Sequence, residues 1–286
     1  LDDAATLAPP PGRELVVTVD AMVEGVHFLS EDPPDLIARK LLRVNLSDLA
    51  AKGAVPLAYL LTLSARRGVS EAWLTAFAAG LKHDQELFNI NLLGGDTTST
   101  SGPLSLTVTA IGHVAPGAMV RRAGARTGDG IWVSGTIGDG ALGLRAIRGE
   151  LDDRDGFLAG RYRLPLPRLG LVDPAFVRAA MDVSDGLIQD LGHLCRAAGL
   201  GATVWADRVP VSVSDPRWLE TCLTGGDDYE VLMIVDPLRE TALEARGGEL
   251  GIAVTRIGTV EAESGIRVLN AAGQHVVLAS GGWSHF

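Results

Sequence analysis

Acidic residues recur in this chain at the points where an apolar, strand-like run stops or a helix-like run begins. Six short segments carry them: Asp2-Asp3-Ala4-Ala5, Thr18-Val19-Asp20, Asn45-Leu46-Ser47-Asp48, Gly94-Gly95-Asp96-Thr97-Thr98, Asp182-Val183-Ser184-Asp185-Gly186-Leu187 and Gly225-Gly226-Asp227-Asp228-Tyr229-Glu230. Carboxylates gathered at the ends of several elements repel one another. That repulsion opposes folding unless hard divalent cations bind there and bring an anionic substrate with them. The pattern therefore reads as a metal-dependent enzyme of phosphate chemistry.

Charge agrees with this reading and limits the alternatives. The chain has 35 Asp and Glu against 25 Lys and Arg, a net charge of -10, which disfavours binding to a nucleic-acid backbone. The six segments with neighbouring Glu24 hold eleven acids, and setting them aside leaves 24 acids against 25 bases. The excess lies in the motifs. At 286 residues with 47% hydrophobic content, the chain buries a substantial core and is expected to form two α/β domains. Two cysteines, Cys195 and Cys222, make neither a disulfide framework nor a zinc site. No apolar run approaches the roughly 18 residues of a membrane span and no signal-peptide pattern opens the chain, so a cytoplasmic location is expected. Because the chain starts at Leu1 and is at once inside a motif, a native segment is expected to precede it.

Periodicity divides the chain. Residues Glu14 to Asp20 alternate as a strand, and Pro34 to Gly53 carry Leu36, Ile37, Leu41, Val44 and Leu49 at helical spacing. A strand at Leu57–Leu63, a helix from Ser70 as N-cap to Phe88, and a strand at Asn91–Leu93 ending in a Gly-Gly-Asp turn follow. The alternation from Leu104 to Val114 closes the first domain, set at residues 1–116; residues 117–286 form the second. There the pattern predicts a strand at Ile131–Ser134, helices at Gly138–Arg148, Pro174–Ala180 and Gly186–Ala198, strands at Ala202–Ala206, Val231–Val235 and Thr255–Val260, and a hairpin-like stretch at Ile266–Leu278.

A nucleotide-using enzyme must neutralise the charge of a polyphosphate with Lys, Arg, backbone N–H groups or metal. Only three lysines are present (Lys40, Lys52, Lys82), none within a Gly-x-x-x-x-Gly-Lys arrangement. Metal and arginine must supply the charge, and Mg²⁺ takes oxygen ligands of the kind these motifs offer. Asp182 and Asp185 stand three apart at a helix start, with Ser184 between them as an N-cap hydroxyl or phosphate ligand. Gly135-Thr136-Ile137-Gly138-Asp139-Gly140 looks like a phosphate loop but lacks the Gly-x-Gly-x-x-Gly spacing, so it reads as a tight strand-to-helix turn. The stretch from Arg161 to Arg168, with two prolines, reads as a restrained loop whose arginines are available to an anion.

Taken in order, the six motifs, Asp20-Ala21-Met22-Val23-Glu24-Gly25-Val26-His27-Phe28 and the terminal Gly282-Trp283-Ser284-His285-Phe286 resemble the thiamine-monophosphate kinase family. That family lies in the aminoimidazole-ribonucleotide-synthetase-like superfamily of ATP enzymes. The resemblance runs from Asp2 to Phe286. It implies a homodimer whose N-terminal sheet domains pair, ATP and several Mg²⁺ between the two domains of each subunit, and thiamine monophosphate as acceptor. By motif position, it implies metal ligands at Asp3, Thr18, Asp20, Asp48, Asp96, Asp182 and Asp185, with Asp96 and Asp185 central to Mg²⁺-assisted catalysis without a general base. It places ATP contacts at Gly95, Asp96, Arg122 and Ser184, and the acceptor at His27, Asp227 and Trp283. Three positions depart from the family pattern: Leu1 where Gly is usual, Val19 where Thr is usual, and Lys52 where an apolar residue is common. None removes a carboxylate.

The alternatives are a cyclo-ligase of the same superfamily and a nucleotide-binding maturation or scaffold protein. Relatives of the latter kind end in a reactive Cys tail, whereas this chain ends Trp283-Ser284-His285-Phe286.

Overall fold

The computed structural model describes residues 3–283; Leu1, Asp2 and the terminal Ser284-His285-Phe286, which the motifs include, lie outside the described residues. The chain divides into two compact units, Leu1–Leu49 with Ala54–Met119, and Ala50–Gly53 with Val120–Phe286.

The first unit is built from β1 (Glu14–Val23), α1 (Pro34–Ala51), β2 (Val55–Arg66), α2 (Glu71–Phe88), β3 (Asn91–Thr100) and β4 (Ser105–Val114). Its sheet has the order β1-β4-β2-β3, with β2 and β3 parallel and the other pairs antiparallel. Strand β4 alternates buried and half-buried residues along its whole length, as its sequence pattern requires. Helix α1 starts at Pro34, where a missing N–H costs nothing. It is held to α2 by Asp84, which is fully buried and receives Arg43 Nε at 2.6 Å and Arg39 Nε at 3.1 Å. Ser70 caps α2 by accepting the Trp73 N–H, and Asn89 ends it in the left-handed conformation.

One expectation for this unit is corrected. Gly94-Gly95-Asp96 forms no turn; β3 runs straight through it to Thr100. Gly95 pairs with Leu61 of β2, and a Cβ on Gly95 would stand 1.8 Å from the Leu61 carbonyl oxygen. Glycine is there for close backbone approach rather than for a bend.

The second unit contains β5 (Gly130–Ser134), α3 (Asp139–Ile147), α4 (Phe157–Arg163), β6 (Val177–Asp182), α5 (Leu187–Ala198), β7 (Gly201–Trp205), α6 (Leu219–Thr224), β8 (Val231–Val235), α7 (Glu240–Leu250), β9 (Val254–Glu261) and β10 (Gly265–Leu269). The sheet order is β10-β7-β9-β5-β8-β6. Side chains of its central strands alternate between two cores. Ile131, Val133, Leu232, Ile234, Ala179 and Met181 enter the one that α5 closes; Trp132, Val231, Met233, Val235, Val177 and Ala180 enter the one that α7 closes. Burial on both faces makes β8 an unbroken apolar run.

The same two-faced burial corrects the helix expected at Pro174–Ala180. Residues Val177–Asp182 form β6, because Ala179 and Met181 fill one core while Val177 and Ala180 fill the other. Helix-favouring alanine yields here to tertiary packing. The stretch after Ile266 is also different in part: β10 pairs parallel with β7, and its return is a short one, with a Leu269–His275 bridge and the Asn270 N–H to Gln274 O and Val276 N–H to Val268 O bonds. Lys52, one of the family departures, sits within this unit and donates to the Ala180 carbonyl at 2.7 Å.

Candidate functional site

Each unit carries its own acidic set. In the first, Thr18 and Asp20 lie two apart on β1 and so share a face. Helix α1 meets that face: Thr18 Oγ1 donates to Asp48 Oδ2 at 2.5 Å, and the Asp20 N–H donates to Asn45 Oδ1 at 3.0 Å. Thr18, Asp20 and Asp48 are therefore brought together, all half-buried. Asp96 is not part of that group. Asp20, Val108, Leu61 and Gly95 form one row across β1, β4, β2 and β3, which places Asp96 about 14 Å from Asp20, three strand spacings away. One ion cannot join them, so these acids hold more than one if they hold any. Asp3 is exposed, ahead of β1.

His27 closes the turn that follows β1. Its Nδ1 accepts the Val23 N–H at 3.0 Å, so the neutral ring carries its proton on Nε2. Buried Lys40 donates to the His27 carbonyl at 2.9 Å, which sets the backbone of this turn.

In the second unit, β6 ends at Asp182 and α5 begins at Leu187; the four residues between form the Ser184-Asp185 loop. Gly186 takes φ 127°, and a Cβ there would lie 2.5 Å from the Thr224 carbonyl, so only glycine makes this entry to α5. The loop is held from both sides. Its Ser184 and Asp185 carbonyls accept the N–H groups of Asp227 and Trp283, each at 2.9 Å. The N–H groups of Ser184, Asp185 and Gly186 all donate to Asp190 Oδ2, at 3.0, 3.1 and 3.2 Å. Thus Ser184, Asp185, Asp227 and Trp283 are assembled in one place. Asp227 sits in the left-handed conformation at φ 69°, and Trp283 is 55% exposed with its carbonyl accepting from Gln189 Nε2.

Asp185, Asp190 and His193 offer ligand atoms within 4.8 Å of one another. Burial pushes the Asp190 carboxyl up to about 7 against the pull of its three N–H donors, and its Oδ1 is buried with no hydrogen-bond partner among the described residues. An orphaned carboxylate oxygen beside Asp185 is the environment a hard cation fits. His193 is held low, by burial first and then by Arg196 and Arg122, which also places Arg122 in this neighbourhood.

This geometry bears out one expectation, the tight strand-to-helix turn at Gly135–Gly140, and corrects another. The N–H groups of Gly138 and Gly140, in the segment that resembles a phosphate loop, donate to buried Asp228 at 2.7 and 3.0 Å, so the protein's own carboxylate occupies that turn. Arg161 and Arg168 turn inward instead of toward an external anion. Arg161 and Arg168 both bind Glu230, which is fully buried and also accepts from Ser134 Oγ. Asp228 and Glu230 are thus the internal framework beneath Asp227. Asp190 and Glu230 escaped the sequence reading as structural anchors. The one available signal was an acid inside an apolar helical face, Leu187, Ile188, Asp190, Leu191.

Comparison with known proteins places this architecture. The chain matches the AIR synthase related protein N-terminal domain over residues 1–114 and the C-terminal domain of the same family over residues 126–269. It is 45% identical to the thiamine-monophosphate kinase of Caulobacter vibrioides, covering all of this chain and 84% of that one. The chain belongs to the thiamine-monophosphate kinase family. A crystal structure of the family member from Stenotrophomonas maltophilia superposes with a TM-score of 0.87 at 41% identity, over 96% of this chain and 90% of that one. A further family structure, AaThiL complexed with AMPPCP and TMP, superposes with a TM-score of 0.83 at 29% identity, over 98% of this chain and 89% of that one. Among the described residues, no helix is long and apolar enough to cross a membrane.

Proposed function

We infer that this chain transfers the terminal phosphoryl group of ATP to thiamine monophosphate, giving thiamine diphosphate and ADP. The observation that carries the reading is 45% identity to a thiamine-monophosphate kinase over all of this chain and 84% of that one. The relative holding AMPPCP and TMP together supports a two-substrate site. The acceptor is itself a phosphate monoester, ionised near neutral pH, so no side chain has to remove its proton. What the reaction needs is the approach of two polyanions in line.

Thr18, Asp20 and Asp48, with Asp3 and Asp96, are the metal ligands of the first unit, and Asp182 and Asp185 those of the second. Mg²⁺ bound there supplies positive charge that brings the phosphates together and stabilises the leaving group. The donor set is oxygen throughout, as Mg²⁺ prefers. Gly95, whose missing Cβ lets β3 approach β2, contacts ATP together with Asp96, Arg122 and Ser184. His27 presents its Nε2–H to the acceptor, Asp227 takes the amino or cationic group of thiamine, and the exposed Trp283 ring stacks on its aromatic system.

The reading includes a homodimer and a cytoplasmic location. Leu15, Val17 and Val19 of β1 and Val55 and Leu60 of β2 are 39–60% exposed on the first unit's sheet. Leu15, His113 and Val55 share one cross-strand row and Val19, Thr109 and Leu60 another, so these exposed apolar side chains flank β4 on one face of the sheet, a face of the kind a second copy covers.

A mass-resolved assay with ATP, Mg²⁺ and thiamine monophosphate, with a control lacking acceptor, tests the function. Thiamine diphosphate appearing in step with ADP is the expected result. ADP without thiamine diphosphate, or neither product, refutes the reading.

A further inference from the structure

We propose that Asp190 is a positioning residue for metal binding: its Oδ2 sets the loop that presents Ser184 and Asp185. The proposal rests on the reading of Asp185 as a metal ligand and extends it to a residue outside the family motifs.

Between Asp182 at the end of β6 and Leu187 at the start of α5, three successive N–H groups point inward, where water does not reach Asp190, which is 1% exposed. Left alone, three buried N–H donors are costly, and they would repel a cation. One carboxylate oxygen from the first turn of α5 accepts all three, at 3.0 to 3.2 Å. The loop's carbonyls are fixed separately: Val183 and Ser184 accept the N–H groups of Tyr229 and Asp227, and Asp185 accepts that of Trp283. Steric limits agree with this clamp. A Cβ on Gly226 would lie 2.3 Å from the Ser184 carbonyl, and one on Gly282 would lie 2.7 Å from that of Asp185. The loop is thus fixed on both sides, and the Asp190 side chain holds its N–H side.

Two consequences follow for chemistry. Asp190 Oδ2 draws the three N–H groups away from the side where the Asp185 carboxylate must meet a cation. Fixing three consecutive amides also orders Asp185 before metal arrives, so less entropy is lost on binding. Outer partners of this kind typically contribute about 10- to 100-fold to metal affinity.

The test uses the full chain and Mn²⁺ as a spin-active stand-in for Mg²⁺. Asp190→Ala removes the acceptor; Asp190→Asn keeps one carbonyl oxygen of the same shape. Electron paramagnetic resonance titration of Mn²⁺ in the presence of AMPPCP measures affinity directly. Circular dichroism reports whether each variant is folded. Affinity about tenfold weaker in Asp190→Ala, with Asp190→Asn restoring at least part of it, is the expected result. In turnover, half-saturating Mg²⁺ rises by a similar factor while kcat at saturating Mg²⁺ changes much less. If Asp190→Ala does not fold, Asp190→Leu, which fills the volume but offers no acceptor, decides: affinity about tenfold or more below wild type supports the proposal, and wild-type affinity overturns it. A folded Asp190→Ala with wild-type Mn²⁺ affinity also overturns it, whatever its melting temperature, because that is the result of a purely structural role. A wild-type protein that binds no Mn²⁺ with AMPPCP refutes the metal reading itself, which separates the two failures.

Discussion

Replacing Glu230 by glutamine changes one atom, and the surroundings make that change expensive. Glu230 is fully buried between β8 and the arginines of 161–168, and receives Arg161 Nη2 at 2.8 Å, Arg168 Nε at 2.7 Å and Nη2 at 2.5 Å, and Ser134 Oγ at 2.5 Å. Glutamine fills the same volume, so no cavity forms, but its NH₂ group faces a guanidinium N–H where Glu230 offers an acceptor. Arg168 is left nearly buried without its counter-charge and Arg161 is left with the longer contact to Asp139 at 3.7 Å, while Arg161 Nη1 already lacks a partner among the described residues. Breaking a buried pair in this way costs about 3–5 kcal/mol. For a unit of this size, that corresponds to a fall in melting temperature of about 6–20 °C. Trp132, Trp205, Trp218 and Trp283 belong to the second unit and only Trp73 to the first, so tryptophan fluorescence in urea reports mainly the affected unit. Because the pair is buried, raising salt to about 0.5 M leaves the loss unchanged. A loss below about 1 kcal/mol, or one that disappears in salt, refutes the argument that Glu230 neutralises this cluster.

Three further outcomes are expected. Burial pushes the Cys195 thiol up to about 11 and the Cys222 thiol up to about 12; since thiolate is the reactive form, both stay protonated at pH 8, and a chromogenic disulfide reagent should find neither thiol in the native protein and both in guanidinium. Fast labelling of the native chain would show that these environments are wrong. Gly95→Ala puts a methyl group into the Leu61 backbone, which no side-chain rotation relieves, so stability should fall by about 1–3 kcal/mol and AMPPCP binding should weaken; calorimetry giving wild-type values for both would contradict it. Val17→Asp places a charge among the exposed apolar residues of β1, and sedimentation velocity should show a dimer for the wild type and a monomer for the variant, while identical sedimentation of the two proteins would remove that face from the interface.

Much of the first unit was legible because its signals are local. The Ser70 cap, the alternation of β4 and the apolar spacing of α1 each depend on neighbours a few residues away. The Gly94-Gly95 pair misled for the opposite reason: glycine marks turns and close approaches alike, and only the Leu61 carbonyl across the strand pair distinguishes them. Similarly, Val177–Asp182 carries helix-favouring alanines, and only the two cores on either side of the sheet make it a strand.

The order and residue types of the acidic motifs are properties of the chain alone. So are its shortage of lysine and the apolar runs that make two α/β units, and these were enough to indicate metal-dependent phosphate chemistry and the family. Tertiary structure decided which acids stay within reach of solvent and which hold the fold. Asp185 and Asp190 stand five residues apart and read alike, yet one is half-buried beside Trp283 and the other is sealed beneath three amide groups. Asp227, Asp228 and Glu230 stand side by side in the sequence, but Gly138, Gly140, Arg161 and Arg168 claim the last two. Those partners lie 62 to 90 residues away. A carboxylate's role depends on the charge and solvent around it, and the chain sets those only once it has folded.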